Sequence, residues 1–214
     1  MSRIAVIDYG MGNLHSVVKA LEHVAPAAQV TLARDAQALR AADRVVFPGQ
    51  GAIGHCMHEL ARLDLVEPLR AAARSKPFLG MCLGPQALMD FSEENGGVAA
   101  LGVFAGRVVR FDEHLTDAAS GARLKIPHMG WNQVWQTRPH ALWDGIASGS
   151  RFYFVHSYYL QPADAAVVVG ETSYGIDFAT AIARDNLFAV QFHPEKSARA
   201  GLRLLANFVA WNPA

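Results

Sequence analysis

The sequence predicts an α/β fold: a central, mostly parallel sheet flanked by helices, with a smaller antiparallel β part. Three observations predict it. Short apolar or β-branched runs alternate with helical patterns through the first half of the chain, as in a parallel sheet covered on both faces. After Gly96 and Gly97 the pattern changes to short strands separated by turns. The chain has 214 residues, 51% hydrophobic and only 18% charged, enough to bury a substantial core.

The elements follow in order. Ile4 to Ile7 reads as a strand leading to a helical pattern over Leu14 to Val24; Gln29 to Leu32 is the next strand and Ala36 to Ala41 a short helix. Arg44 to Phe47 is a third strand, followed by a helical stretch through Glu59 to Arg74. Pro77 to Met81 then leads into a helix over Leu83 to Phe91. Beyond the glycine pair, Gly102 to Phe111, Asn132 to Trp135, Arg151 to Leu160, Ala165 to Gly170, Phe178 to Ala183 and Leu187 to Gln191 read as strands, around a polar stretch at Thr116 to Ala122. A closing helix over Ala198 to Ala210 carries Leu202, Leu205 and Val209 near helical spacing. No Pro/Gly/Ser-rich linker divides the chain, so residues 1–214 are read as one domain.

Composition narrows the function classes. Lys+Arg 19 balance Asp+Glu 19, which leaves no global attraction for nucleic-acid phosphates. The apolar runs are far too short to span a membrane, and the opening residues lack the apolar core and cleavage site of a secretion signal. A cytoplasmic protein with Cys56 and Cys82 reduced is the expectation, since a chain of this size needs no disulfide.

The two cysteines differ in setting. Cys82 lies in Gly80-Met81-Cys82-Leu83-Gly84, where an apolar strand turns abruptly into a helix, a nucleophile elbow with Cys in place of Ser. Glycines permit the sharp turn, and the unpaired N–H groups of a helix start stabilise negative charge on a thiol placed there. Pro85 suits that start. The elbow alone is equally compatible with a small buried hydrophobe. Cys56, in Gly54-His55-Cys56-Met57-His58, superficially offers metal ligands, but residues 55, 56 and 58 do not share a helix face and no second cluster completes a shell, so no metal is expected.

Near the C-terminal end, Leu187 to Phe192 is an apolar run ending in His193-Pro194-Glu195. If the run is a strand, His193 and Glu195 face the same way, and the carboxylate can fix the tautomer of the imidazole. With the elbow, the pair satisfies the nucleophile, base and orienter logic of acyl transfer. Pro48-Gly49-Gln50-Gly51 follows another strand and offers either a plain turn or backbone donors for an oxyanion, with the Leu83 N–H as second donor. Asp8-Tyr9-Gly10-Met11-Gly12-Asn13 superficially suggests dinucleotide binding, but His15 stands where the third glycine belongs, so that cofactor is rejected in favour of a tight turn with Asn13 near a helix cap.

These motifs, together with Pro127-His128-Met129-Gly130-Trp131-Asn132 and Phe154-Val155-His156-Ser157-Tyr158, closely resemble the class I, triad-type glutamine amidotransferases across essentially the whole chain. Within that family the opening motif and the Pro-His-Met-Gly-Trp-Asn segment are most similar to the glutaminase subunits of imidazole glycerol phosphate synthase in histidine biosynthesis. The resemblance implies catalysis by Cys82, His193 and Glu195 without a cofactor, an oxyanion hole at Gly51 and Leu83, and L-glutamine held by Gln86, Ser157 and Tyr158. It also implies a (β/α)8-barrel cyclase subunit as heterodimer partner, with Asn13, His128, Met129, Trp131 and Lys196 as candidates for the interface. Two positions depart from the family pattern, Met81 where Ile or Val is usual and Pro85 where Met is usual. Three other functions fit parts of this pattern: a subunit feeding another synthase, an assembly protein that kept the fold, and a hydrolase of γ-glutamyl peptides.

Overall fold

In the computed structural model, which describes residues 2–117 and 119–213, five strands run parallel in the order β2 (Gln29–Ala33), β1 (Arg3–Ile7), β3 (Arg44–Phe47), β4 (Phe78–Met81) and β13 (Leu187–Val190). Register is explicit: Ile4 lies beside Val30 and Arg44, Val46 beside Leu79, and Gly80 beside Ala189. Because successive side chains point to opposite faces, each apolar strand feeds two cores. Ala5, Ile7, Val45, Phe47 and Phe78 pack on one face, and Ile4, Val6, Val46, Leu79 and Phe188 on the other. That is why these strands read as unbroken apolar runs. Only β2, at the edge of the sheet, is largely exposed.

Helices cover both cores. On the first face lie α2 (Ala36–Ala41), α3 (Ile53–Arg62), α4 (Val66–Ser75) and α5 (Leu83–Leu88), contributing Leu39, Leu60, Leu69 and Ala87 among others. On the second lie α1 (Leu14–Val24) and α6 (Ala198–Ala210), through Val17, Leu21, Leu204 and Phe208. None of the helices is long and apolar enough to cross a membrane among the described residues.

The antiparallel part continues from β13. It runs through β12 (Asp177–Arg184), β10 (Tyr158–Pro162), β7 (Phe104–Arg110), β5 (Met89–Ser92) and β6 (Val98–Ala99), with β5 parallel to β7. A branch leaves β12 through β11 (Val168–Ser173) to β8 (His128–Gln136) and β9 (Ser150–His156).

Four sequence expectations change. The helical stretch through Glu59 to Arg74 is two helices, α3 and α4, separated at Leu63 to Leu65, with Asp64 at φ 53°. The helix over Leu83 to Phe91 ends at Leu88, and Met89 to Ser92 forms β5. The run Arg151 to Leu160 is two strands meeting at Ser157, and Ala165 to Val167 is a 3-10 turn before β11. By contrast, α1, α2, β3 and α6 have the expected bounds.

Candidate active site

The elbow is built by close backbone contacts. Cys82 sits between β4 and α5 at φ 55°, ψ −92°, a conformation that L-residues adopt only when their surroundings enforce it. Its N–H donates to the Val190 carbonyl of β13 at 2.9 Å. A Cβ on Gly84 would stand 2.2 Å from the Phe47 carbonyl oxygen, and one on Gly80 3.0 Å from the Ala189 methyl, so both glycines are required by proximity. Pro85 falls in the first turn of α5, where a missing N–H leaves no bond unmade.

His193 reaches the thiol from another direction than strand alternation suggests. β13 ends at Val190, and His193 caps a 3-10 turn over Pro194–Lys196, so the turn and not a shared strand face brings His193 and Glu195 together. Nδ1 of His193 lies 2.8 Å from Oε1 of Glu195, with both side chains 3% exposed or less. The backbone is pinned as well: His193 N–H donates to the Tyr153 carbonyl, and the buried Ser197 hydroxyl donates to the His193 carbonyl while accepting from the Tyr153 N–H. Ser197 is a supporting residue that the sequence alone did not reveal.

Burial disfavours charge on His193, but interaction with Cys82 and then with Glu195 outweighs it and holds the imidazole pKa at about 10. Nε2 of His193 has no hydrogen-bond partner among the described residues, while the nearby Cys82 favours the charged ring. A cavity of about 10 Å³ touches Cys82, His193 and Glu195 on one side and Gly12 and Asn13 on the other.

The expected oxyanion donors are arranged differently from each other. Gly51 adopts φ 85°, but the Leu83 N–H is directed at the Gly49 carbonyl, 3.4 Å away. A Cβ on Gly49 would lie 2.2 Å from the Tyr9 hydroxyl and 2.9 Å from Leu83 Cβ. That hydroxyl is fully buried and has no hydrogen-bond partner among the described residues, the Cys56 thiol being its polar neighbour.

Opening onto Cys82 is a cavity of about 260 Å³, whose wall gathers Gly51, Leu83, Gln86, Ser157 and Tyr158, all expected, together with Gln50, Glu94, Pro127 and His156. Gln86 is buried, not an exposed helix residue: its amide donates to Gln191 Oε1 and the Tyr158 carbonyl. Glu94 was missed by sequence reading. Its carboxylate accepts from the Ile53 N–H at the start of α3 and brings negative charge to the pocket.

The residues expected at an interface divide by strand face. Along β8, Met129 and Trp131 point outward with 61% and 48% exposure, and Trp135 follows on the same side. His128 points inward and is 3% exposed, so alternation corrects its assignment: it has no surface to offer a partner. Lys196 Nζ lies over the Tyr153 ring, and Asn13 caps α1 by accepting from Ser16 N–H. Cys56 is buried, with its thiol pKa pushed up to about 12 by desolvation, whereas His55 and His58 are exposed. Among the described residues no group of three His, Cys, Asp or Glu side chains is placed to hold a metal.

The family model for class-I glutamine amidotransferases matches residues 5–211. The imidazole glycerol phosphate synthase subunit HisH of Dechloromonas aromatica is 61% identical over 210 residues, covering 98% of this chain and 97% of the relative. That of Aromatoleum aromaticum is 58% identical over 213 residues and covers 100% of both. Among solved structures, a glutamine amidotransferase superposes with a TM-score of 0.71 at 16% identity over 97% of each chain, and PurLQS from Thermotoga maritima with 0.72 at 15% identity over 98% of each, likenesses of fold. The chain belongs to the class-I glutamine amidotransferase family.

Proposed function

We propose that this chain, as a single amidotransferase domain over residues 1–214, is the glutaminase subunit of imidazole glycerol phosphate synthase in L-histidine biosynthesis. The observation that carries the chemistry is that Cys82 lines the larger pocket and also shares the small cavity behind it with the bonded His193–Glu195 pair. The pathway rests on full-length similarity to HisH subunits at 58% and 61% identity.

In this reading the Cys82 sulfur attacks the side-chain amide carbon of L-glutamine. An imidazole with a raised pKa carries the proton at neutral pH and gives it to the departing nitrogen, releasing ammonia and leaving a thioester. His193 then takes a proton from water, which attacks the thioester and frees glutamate. Glu195 holds the ring throughout. Gln86, Ser157 and Tyr158 hold the amino-acid end, with Glu94 supplying an acceptor for its ammonium. No step calls for a cofactor.

The ammonia passes to a (β/α)8-barrel cyclase subunit, where it reacts with a phosphoribulosyl aminoimidazole carboxamide ribonucleotide to give imidazole glycerol phosphate and aminoimidazole carboxamide ribotide. The cavity between the triad and Asn13 is of the order of one small molecule, which suits a first stop for ammonia. Met129, Trp131 and Lys196 present the docking surface. The setting is cytoplasmic, in keeping with two free cysteines.

Leu83 N–H bonded to the Gly49 carbonyl is not available to an oxyanion, so turnover requires the Gly49–Gly51 segment to move. Glutamate release is therefore expected to be slow for the chain alone and to rise at least about tenfold with the cyclase subunit and its nucleotide. Steady-state assays with and without both components test this; equal rates would refute the coupling, and no glutamate under any condition would refute the glutaminase assignment.

A further inference from the structure

A buried line of hydrogen bonds runs from the glutamine pocket to the inner face of β8, and the chemistry of one end fixes the direction of every bond. The Tyr158 carbonyl can only accept, so His156 Nδ1, 2.8 Å away, must be its donor. A neutral imidazole protonated at Nδ1 has a bare Nε2, which therefore accepts from His128 Nδ1 at 2.9 Å. The bare Nε2 of His128 in turn accepts from the Asn132 amide at 3.2 Å, and the same Nδ2 reaches the Ser173 carbonyl at 3.0 Å.

Both rings are neutral. His128 and His156 face each other as cross-strand partners of β8 and β9 and are packed by Phe111, Phe154, Phe178 and Tyr174. Burial in this aromatic surround lowers their pKa values to about 4 and about 3.

On the pocket side, the Tyr158 carbonyl accepts a second bond from Gln86 Nε2 at 3.3 Å, and the same amide nitrogen donates to Gln191 Oε1 at 3.0 Å. Gln191 Nε2 ends the line on the Cys82 carbonyl at 3.1 Å. Both hydrogens of the Gln86 amide are consumed, so the group it has left for the pocket is its carbonyl oxygen, an acceptor.

We propose that His128 and His156 are positioning residues for substrate: by holding the Tyr158 carbonyl in place they fix the orientation of the Gln86 amide, so that Gln86 Oε1 accepts a hydrogen bond from the ammonium of glutamine. The role of Gln86 rests on the glutaminase reading above; the bond directions do not. Losing the His156 bond removes one of the two side-chain bonds on the Tyr158 carbonyl and lets the Gln86 amide turn, which weakens ground-state binding more than chemistry.

The experiment compares His156→Phe and His156→Asn in the full chain with its cyclase partner present. Asn places Nδ2 where the ring carries Nδ1 but underfills the aromatic surround, whereas Phe fills it and cannot donate. His156→Phe is expected to raise KM for glutamine about tenfold with kcat changed less than about threefold, and His156→Asn to recover most of that KM. The melting temperatures should rank oppositely, with Phe above Asn. An unchanged KM in His156→Phe, or a KM that rises in step with falling melting temperature, overturns the proposal. Nitrogen NMR shifts of the two rings in the wild-type chain give a reading that needs no turnover. Nδ1–H at both rings is expected, and Nε2–H at either overturns the relay even in a fully active glutaminase.

Discussion

Two segments that follow neighbouring parallel strands, the elbow after β4 and the Gly49–Gly51 segment after β3, make an instructive contrast. The elbow is over-determined: Cys82 is held by β13, Gly84 touches the Phe47 carbonyl, and the α5 side chains are buried all round. The Gly49–Gly51 segment is held to the elbow by a single long bond, 3.4 Å from Leu83 N to the Gly49 oxygen, and rests against a Tyr9 hydroxyl with no partner. Strain is tolerated where packing enforces it, and movement is cheap where few bonds must break. In the proposed mechanism the nucleophile is thus set in advance and its oxyanion donor is not.

The largest effect that would break this contrast is chemical. Cys82→Ala should lower glutamine-dependent glutamate release by at least about 10³-fold while leaving ammonia-dependent synthesis by the complex in place. Retained glutaminase activity would remove Cys82 from the mechanism. Next comes stability: Gly84→Ala forces a methyl to within 2.2 Å of a backbone oxygen and should cost about 1–3 kcal/mol in urea unfolding. A neutral Gly84→Ala would show that the elbow is looser than its contacts suggest.

A third test uses pH. The folded pKa of His193, about 10, lies above the ordinary 6.5, so its protonation stabilises the fold fully below about pH 6.5 and this contribution is lost as pH rises through about 10. Glu195→Gln removes part of that support, so the stability gap between wild type and variant should be widest in mild acid and narrow toward pH 10. A constant gap would mean that the pair does not share the proton. The smallest effect concerns the looser segment. Tyr9→Phe, which deletes an unpartnered buried hydroxyl, should change stability by less than about 1 kcal/mol and in the favourable direction. It should also soften Gly49→Ala, because one of the two close contacts disappears; strictly additive losses would contradict that.

The same contrast governs what was legible in the sequence. Strands buried on both faces are written as continuous apolar runs, and α1 and α6 as one-sided patterns, so these were readable. The helix α5 is buried on every side, so no exposed polar face marks where it gives way to β5. The break between α3 and α4 did leave a mark in Pro68, which belongs to the first turn of a new helix rather than the middle of an old one. Cys82, His193 and Glu195 stand out in the sequence as triad candidates because their types and motifs are distinctive, yet the turn that joins the last two does not, since strand and turn both bring residues two apart together. The inward aim of His128, and with it the line to His156, depends on the register of β8 against β9, and long-range pairing leaves no local trace. Glu94 and Ser197 are ordinary surface types until the fold places them.

The bond between Leu83 N–H and the Gly49 carbonyl carries a consequence for nitrogen economy. Under the proposed coupling, copies of this chain made in excess of their partner, or waiting between rounds of synthesis, draw on the cell's glutamine only slowly. Expression of the two subunits then has less need to be tightly matched, because a surplus of this one drains little.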